Sequence, residues 1–186
     1  MEIVSEVGLE GFSMRLLCER VQLNAPLVYA IFPSKDELLY RCFLFVNRQI
    51  AGLFEGVSLS ADRSVEEIKE YIHAAWLRYF YFMVRNGSRT LFYYIYRDSN
   101  NLQRILISNN ETVAQDMTDF LGVIGVVAEK LGLFRELYPD YFYVFLLDGT
   151  GNFVRRAIRG DVSLSEQEVD QIWRLLTRGL FGFGAG

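Results

Sequence analysis

This chain predicts an all-α fold, with a small three-helix head at residues 1–46 and a larger helical domain at 47–186. Three observations carry that expectation. The chain holds only three prolines, Pro26, Pro33 and Pro139, so long helices can form almost anywhere. Hydrophobic residues make up 51% of it and recur at helical rather than alternating spacing. Ser-x-x-Glu capping boxes stand before apolar stripes at Ser34, Ser64, Ser163 and Ser165.

Met1 to Val7 reads as the tail of a helix. Ser13 can cap a helix over Met14 to Val21, because its hydroxyl can accept an orphan backbone N–H. Gln22-Leu23-Asn24 is then a three-residue turn, as a helix-turn-helix requires. Asn24 can cap the second helix, and Pro26 falls in its first turn, where the ladder needs no N–H. That helix should run from Ala25 to Phe32 and stop before Pro33. Ser34 and Glu37 form the capping box of a third helix.

Two runs here, Gly8-x-x-Gly11-x-Ser13-Met14-Arg15 and Leu27-Val28-Tyr29-x-x-Phe32-Pro33-Ser34-Lys35-x-Glu37-Leu38, resemble the DNA-binding domain of the TetR family of bacterial transcriptional regulators. The likeness covers about a quarter of the chain, and the remainder agrees in length and helical layout. In that family the first helix is about twice as long as Met1–Val7 and often follows a basic arm, which these residues do not include. A helix-turn-helix lays its second helix in the major groove, N-terminal residues first, so Asn24, Ala25, Leu27 and Val28 would face DNA. Tyr29 follows, placed for a phosphate. Ser13 and Arg15 open the supporting helix, from which Arg15 could clamp the backbone. The resemblance implies that Lys35 also meets a phosphate.

The head departs from the family pattern in its charge. The second helix has no Lys, Arg, His or Gln, whereas family members usually carry polar or basic residues at Ala25, Leu27, Ala30 and Ile31. Residues 1–50 carry a net charge of −1. Few phosphate contacts imply weak non-specific binding and a shallow salt slope. Ala25 and Leu27 can still touch thymine methyls.

From Asp36 a helix is expected to about Val57, with Leu38, Leu39, Phe43, Val46, Ile50, Leu53 and Phe54 as its stripe; it would join the head rigidly to the larger domain. Ser64 and Glu67 open a helix to about Arg85, and Asn86-Gly87 stops it. Ser88 caps the next, to about Arg97, and Leu102–Ser108 is a short helix. Another should run from about 110 to 131. Asp140–Ile158 is apolar on two sides and must be covered on both. Gly149 and Gly151 within it lose about 1 kcal/mol each against alanine, which reads as close backbone approach. A last helix should reach about Leu180.

Two such apolar helices at the C-terminal end suggest a homodimer built as a four-helix bundle, as the resemblance also implies. Its interface would use Phe142, Phe145, Leu146, Gly149, Phe153, Ile172, Leu176 and Leu180. Two-fold symmetry suits a two-fold or pseudo-two-fold DNA operator. Aromatic residues crowd the middle of the chain, where the resemblance places a small-molecule effector site. Candidates are Tyr79, Met83, Phe92, Tyr96, Met117, Phe120 and Leu121, with Asn110 and Asp148 as polar partners. Core packing is the competing reading of each.

Other chemistry finds no support. Cys18 and Cys42 lack metal spacing and read as buried thiols. His73 is the single histidine, with no ligand or triad partner at suitable spacing. Glu66, Glu67 and Glu70 read as a solvated face, and no phosphate-binding glycine motif is present. No uncharged apolar run approaches the roughly 20 residues of a membrane span. The expectation is a cytoplasmic, ligand-responsive repressor with no enzyme activity, cofactor or metal, released by an apolar or aromatic effector that moves the 36–57 helix. The competing reading is a dimeric ligand-binding or protein-interaction module whose DNA head is no longer competent.

Overall fold

The structure, a computed structural model, describes residues 1–54, 64–109, 144–162 and 164–181. Every regular element among them is helical. They are α1 (Glu2–Gly11), α2 (Met14–Val21), α3 (Ala25–Ile31), α4 (Lys35–Gly52), α5 (Val65–Arg85), α6 (Gly87–Arg97) and α7 (Asn100–Asn109), then a π-helical turn (Val144–Asp148), α8 (Gly149–Ile158) and α9 (Glu166–Phe181). The helix expected over 110–131 and the segments 55–63 and 139–143 lie outside the described residues.

Contacts divide the chain into two units: residues 1–50 with the 88–109 stretch, and the described parts of 51–87 and 144–181. In the first unit, α1 continues to Gly11 but is interrupted at Gly8, whose φ of 73° and ψ of 178° suit glycine almost alone. Gly8→Ala should therefore destabilise the head by roughly 2 kcal/mol, read as a lowered urea midpoint. An unchanged midpoint would show that the kink is not needed. Ile3, Val4, Phe12, Met14, Cys18 and Val28 make the small core of the head. Beyond it, Phe43 of α4 stacks on Tyr93 of α6 at 5.3 Å and tilts against Tyr96 at 5.7 Å. Asn47 is buried there, 3.4 Å from the Tyr93 hydroxyl that donates to it. The α7 helix starts at Asn100, earlier than expected, because the Ser99 hydroxyl accepts the Leu102 N–H.

Two helix ends fall elsewhere than the spacing suggests. The α4 helix stops at Gly52, short of Val57, and the Phe54 N–H turns back to the Ala51 carbonyl at 2.9 Å. The turn lets Phe54 bury itself, 6.2 Å from the ring of Tyr79. Between α5 and α6 the break is Asn86 alone: its backbone N–H and its side-chain amide both donate to the Phe82 carbonyl, at 3.1 and 2.8 Å. Gly87 thus begins α6 instead of ending α5, and a β-carbon there would stand 3.3 Å from Ile158.

In the second unit α5 opens with the expected Ser64–Glu67 capping box. Its inner face holds Ile68, Ile72, Ala75, Trp76, Tyr79, Phe80 and Met83, all buried. The described part of the expected Asp140–Ile158 helix is a π-helical turn followed by α8. The Thr150 hydroxyl at that junction donates to the Leu146 carbonyl and accepts the Trp76 indole N–H at 2.7 Å. Gly149 makes the anticipated close approach: a β-carbon there would lie 2.7 Å from Leu176 of α9. Gly160, at φ 80°, ends the turn after α8. The α9 helix uses the Ser165–Glu168 box, with the Ser165 N–H donating to the Glu168 carboxylate at 2.8 Å.

Candidate nucleic-acid interface

The α2–turn–α3 unit is built by local chemistry. The Ser13 hydroxyl accepts the Leu16 N–H at 3.1 Å and starts α2. Met14 and Cys18 bury the inner side of α2. Gln22 enters the left-handed region at φ 54°, and the Leu23 N–H closes on the Cys18 carbonyl at 3.1 Å. That reversal sends the chain straight into α3. Asn24 precedes α3, but its side chain makes no capping bond. The reason is Pro26: it supplies no N–H at the second position, and the Leu27 N–H is already held by the Asn24 backbone carbonyl at 3.1 Å.

Val28 is the one residue of α3 that is buried, so it anchors the helix and is not at its outer surface. Ala25 is half-buried and Asn24, Pro26 and Ala30 are exposed. Leu27, Tyr29 and Ile31 are 56%, 49% and 53% exposed. Val21 and Leu23 add further exposed apolar surface next to them.

The cations of the head are mostly engaged. Arg15 is well exposed and lies 3.7 Å from Glu19. Arg20 pairs with Glu6 at 3.0 Å and Arg41 with Glu37 at 2.6 Å. Glu37 also donates its backbone N–H to the Ser34 hydroxyl, opening α4. Lys35 does something the spacing did not reveal. Its ammonium donates to the Leu9 carbonyl at 2.7 Å and the Phe12 carbonyl at 2.8 Å, and sits 5.8 Å from the Phe12 ring centre. It ties the end of α1 to the start of α4. No pattern of side chains points to this, since both acceptors are backbone.

The remaining candidates fall in several places. Tyr79 and Met83 are buried in the second unit, and Phe92 and Tyr96 in the first. The Tyr96 hydroxyl is buried with no hydrogen-bond partner among the described residues. Burial raises its pKa, and Asp36, Tyr40, Cys42 and Glu37 push the same way. Asp148 is half-buried just before α8. Asn110, Met117, Phe120, Leu121 and Phe142 lie outside the described residues, as do the side chains of Phe145 and Leu180. Leu146 and Ile172 are buried within the chain itself, while Phe153 and Leu176 are half-buried.

Cys18 and Cys42 are free thiols, and burial pushes the Cys42 thiol up in pKa. His73 stacks on Trp173 at 4.7 Å; burial lowers its pKa, with Asp170 opposing. Among the described residues, no three His, Cys, Asp or Glu side chains gather as a metal site. None of their helices is long and apolar enough to cross a membrane. Residues 1–42 match the model of the bacterial regulatory proteins of the tetR family. No curated protein and no solved structure matches the chain.

Proposed function

Residues 1–42 match the model of the tetR-family bacterial regulatory proteins, and we propose that the chain is a transcriptional repressor that grips a two-fold operator as a homodimer and is released by a small apolar or aromatic molecule. The observation that carries the reading is the head itself: a tetR-family match whose α3 is anchored by the buried Val28 and the half-buried Ala25, with its other residues exposed. In this reading Asn24, Ala25, Leu27 and Tyr29 meet the groove and its edges, and Ser13 and Arg15 meet the backbone from α2. Lys35 acts indirectly, by fixing α1 against α4. The head spans residues 1–46, and 47–186 serve ligand and dimer.

Two features support the finer parts. Among the described residues the buried Tyr96 hydroxyl has no partner, and a buried unpaired hydroxyl is unfavourable unless something else satisfies it. An effector with a polar group is such a partner. Tyr96→Phe should leave stability unchanged or raise it by about 1 kcal/mol, and should weaken release by effector. A clear loss of stability would show that the hydroxyl already has a partner in the free protein. For the dimer, Leu175 on α9 is 66% exposed, beside the half-buried Leu176. Pairing α8 and α9 with a second copy would cover them.

The test is a salt-dependent mobility shift with DNA from upstream of the protein's own coding region. Specific retardation, lost in Tyr29→Ala, supports the reading. No retardation even at low salt overturns it. The engaged cations and apolar α3 would then favour the second reading, a protein-interaction module on the same helical frame.

A further inference from the structure

We propose that the head reads its operator chiefly through thymine C5-methyl groups, with Leu27 as the main specificity-determining residue and Ala30 beside it. The inference rests on the operator-binding reading above and names the class of site it takes. Pro26, Leu27, Ala30 and Ile31 are exposed on α3 and carry no side-chain donor or acceptor. Leu27 and Ala30 are three apart, hence neighbours on one helix face, and the buried Val28 turns away from it. Of the features that base pairs present in the major groove, only the thymine methyl is apolar. The usual bidentate contacts, Arg or Lys to guanine and Asn or Gln to adenine, have no side chain on α3 to make them. Asn24, before α3, is the nearest amide.

The weak charge of the head strengthens the case. Residues 1–50 carry a net charge of −1, Arg20 and Arg41 each face a carboxylate, and Lys35 is tied to two carbonyls, so phosphate contact from the head rests mainly on the exposed Arg15. Phosphate contacts usually supply a large share of affinity for DNA. Where few cations are available, the water-exposed leucine must contribute more. A methyl group buried against Leu27 gains affinity by about fourfold. Ala30 is small enough to admit a second methyl without holding the helix off the groove. The predicted operator half-site therefore contains A·T pairs where α3 enters, and it should be bound with a shallow salt slope.

The experiment uses the whole chain and a random-sequence duplex pool at low salt. Rounds of selection yield an enriched site, which is then synthesised with thymine or with deoxyuridine. Uracil removes the methyl and keeps every hydrogen-bonding group. The expected result is enrichment of thymine under α3 and about a fourfold loss for each contacted methyl removed. In Leu27→Ala the thymine–uracil difference should shrink, which a change in duplex stiffness alone would not cause. Leu27 is 56% exposed, so that variant folds. An enriched site bound equally well with uracil overturns the inference while leaving operator binding intact. So does an enriched site without thymine, or an undiminished difference in Leu27→Ala. If no sequence is enriched, the operator reading falls first and this inference with it, and the apolar face is left to a protein partner.

Discussion

Trp76→Ala should destabilise the second unit by about 3–5 kcal/mol, the range for deleting a large buried aromatic. Trp76 is 2% exposed and fits among other rings, 5.1 Å from Phe80 and 5.1 Å from Trp173. Alanine would leave a cavity that three helices would have to collapse into. The loss is more than volume. The indole N–H donates to Thr150, whose own hydroxyl donates to the Leu146 carbonyl within the π-helical turn. Thr150→Val separates the two effects: it keeps the shape and leaves a buried indole N–H without its acceptor, for about 1–3 kcal/mol. Urea unfolding followed by far-ultraviolet circular dichroism measures both. If Trp76→Ala lowered stability by less than Thr150→Val, the packing account would be wrong.

Lys35→Met should lower the stability of the head by about 2–4 kcal/mol, since two charge-assisted hydrogen bonds disappear and two carbonyls lose their donor. Methionine keeps most of the stem that lies along Phe12, so the change isolates the ammonium. The alternative role, a simple phosphate contact, makes a different pair of outcomes. It would leave the unfolding midpoint unchanged and reduce the salt slope of DNA binding by about one. A stable variant with a lowered slope would therefore assign Lys35 to the DNA and not to the frame.

Much of the helical layout can be read from the sequence because it depends on local chemistry. The Ser13 cap, the three-residue turn and the Ser64 box involve atoms a few residues apart. What the spacing misses depends on distant partners. The stripe from Leu38 continues through Leu53 and Phe54, yet Phe54 leaves it to pack near Tyr79. Asn24 has the right residue type for a cap, but a proline two residues on removes the donor it would need. Lys35 looks like a DNA contact in the family pattern, and only the fold shows carbonyls from residues 9 and 12 within its reach. The exposed apolar side of α3 was legible as an absence of charge. Its partner, Val28, became identifiable only once burial separated the two sides of the helix.

The approach of Gly149 to Leu176 bears on how this chain can change over generations. A β-carbon at 149 and the tip of the leucine at 176 compete for one space, 2.7 Å apart. A side chain at 149 needs the leucine tip to move aside or residue 176 to be smaller. A bulkier residue at 149 becomes tolerable when 176 shrinks, and a glycine or alanine at 176 loosens the demand on 149. Sites this close are expected to be strongly non-additive. Among descendants of this sequence the two should drift together, as a covarying pair of sizes spanning two helices.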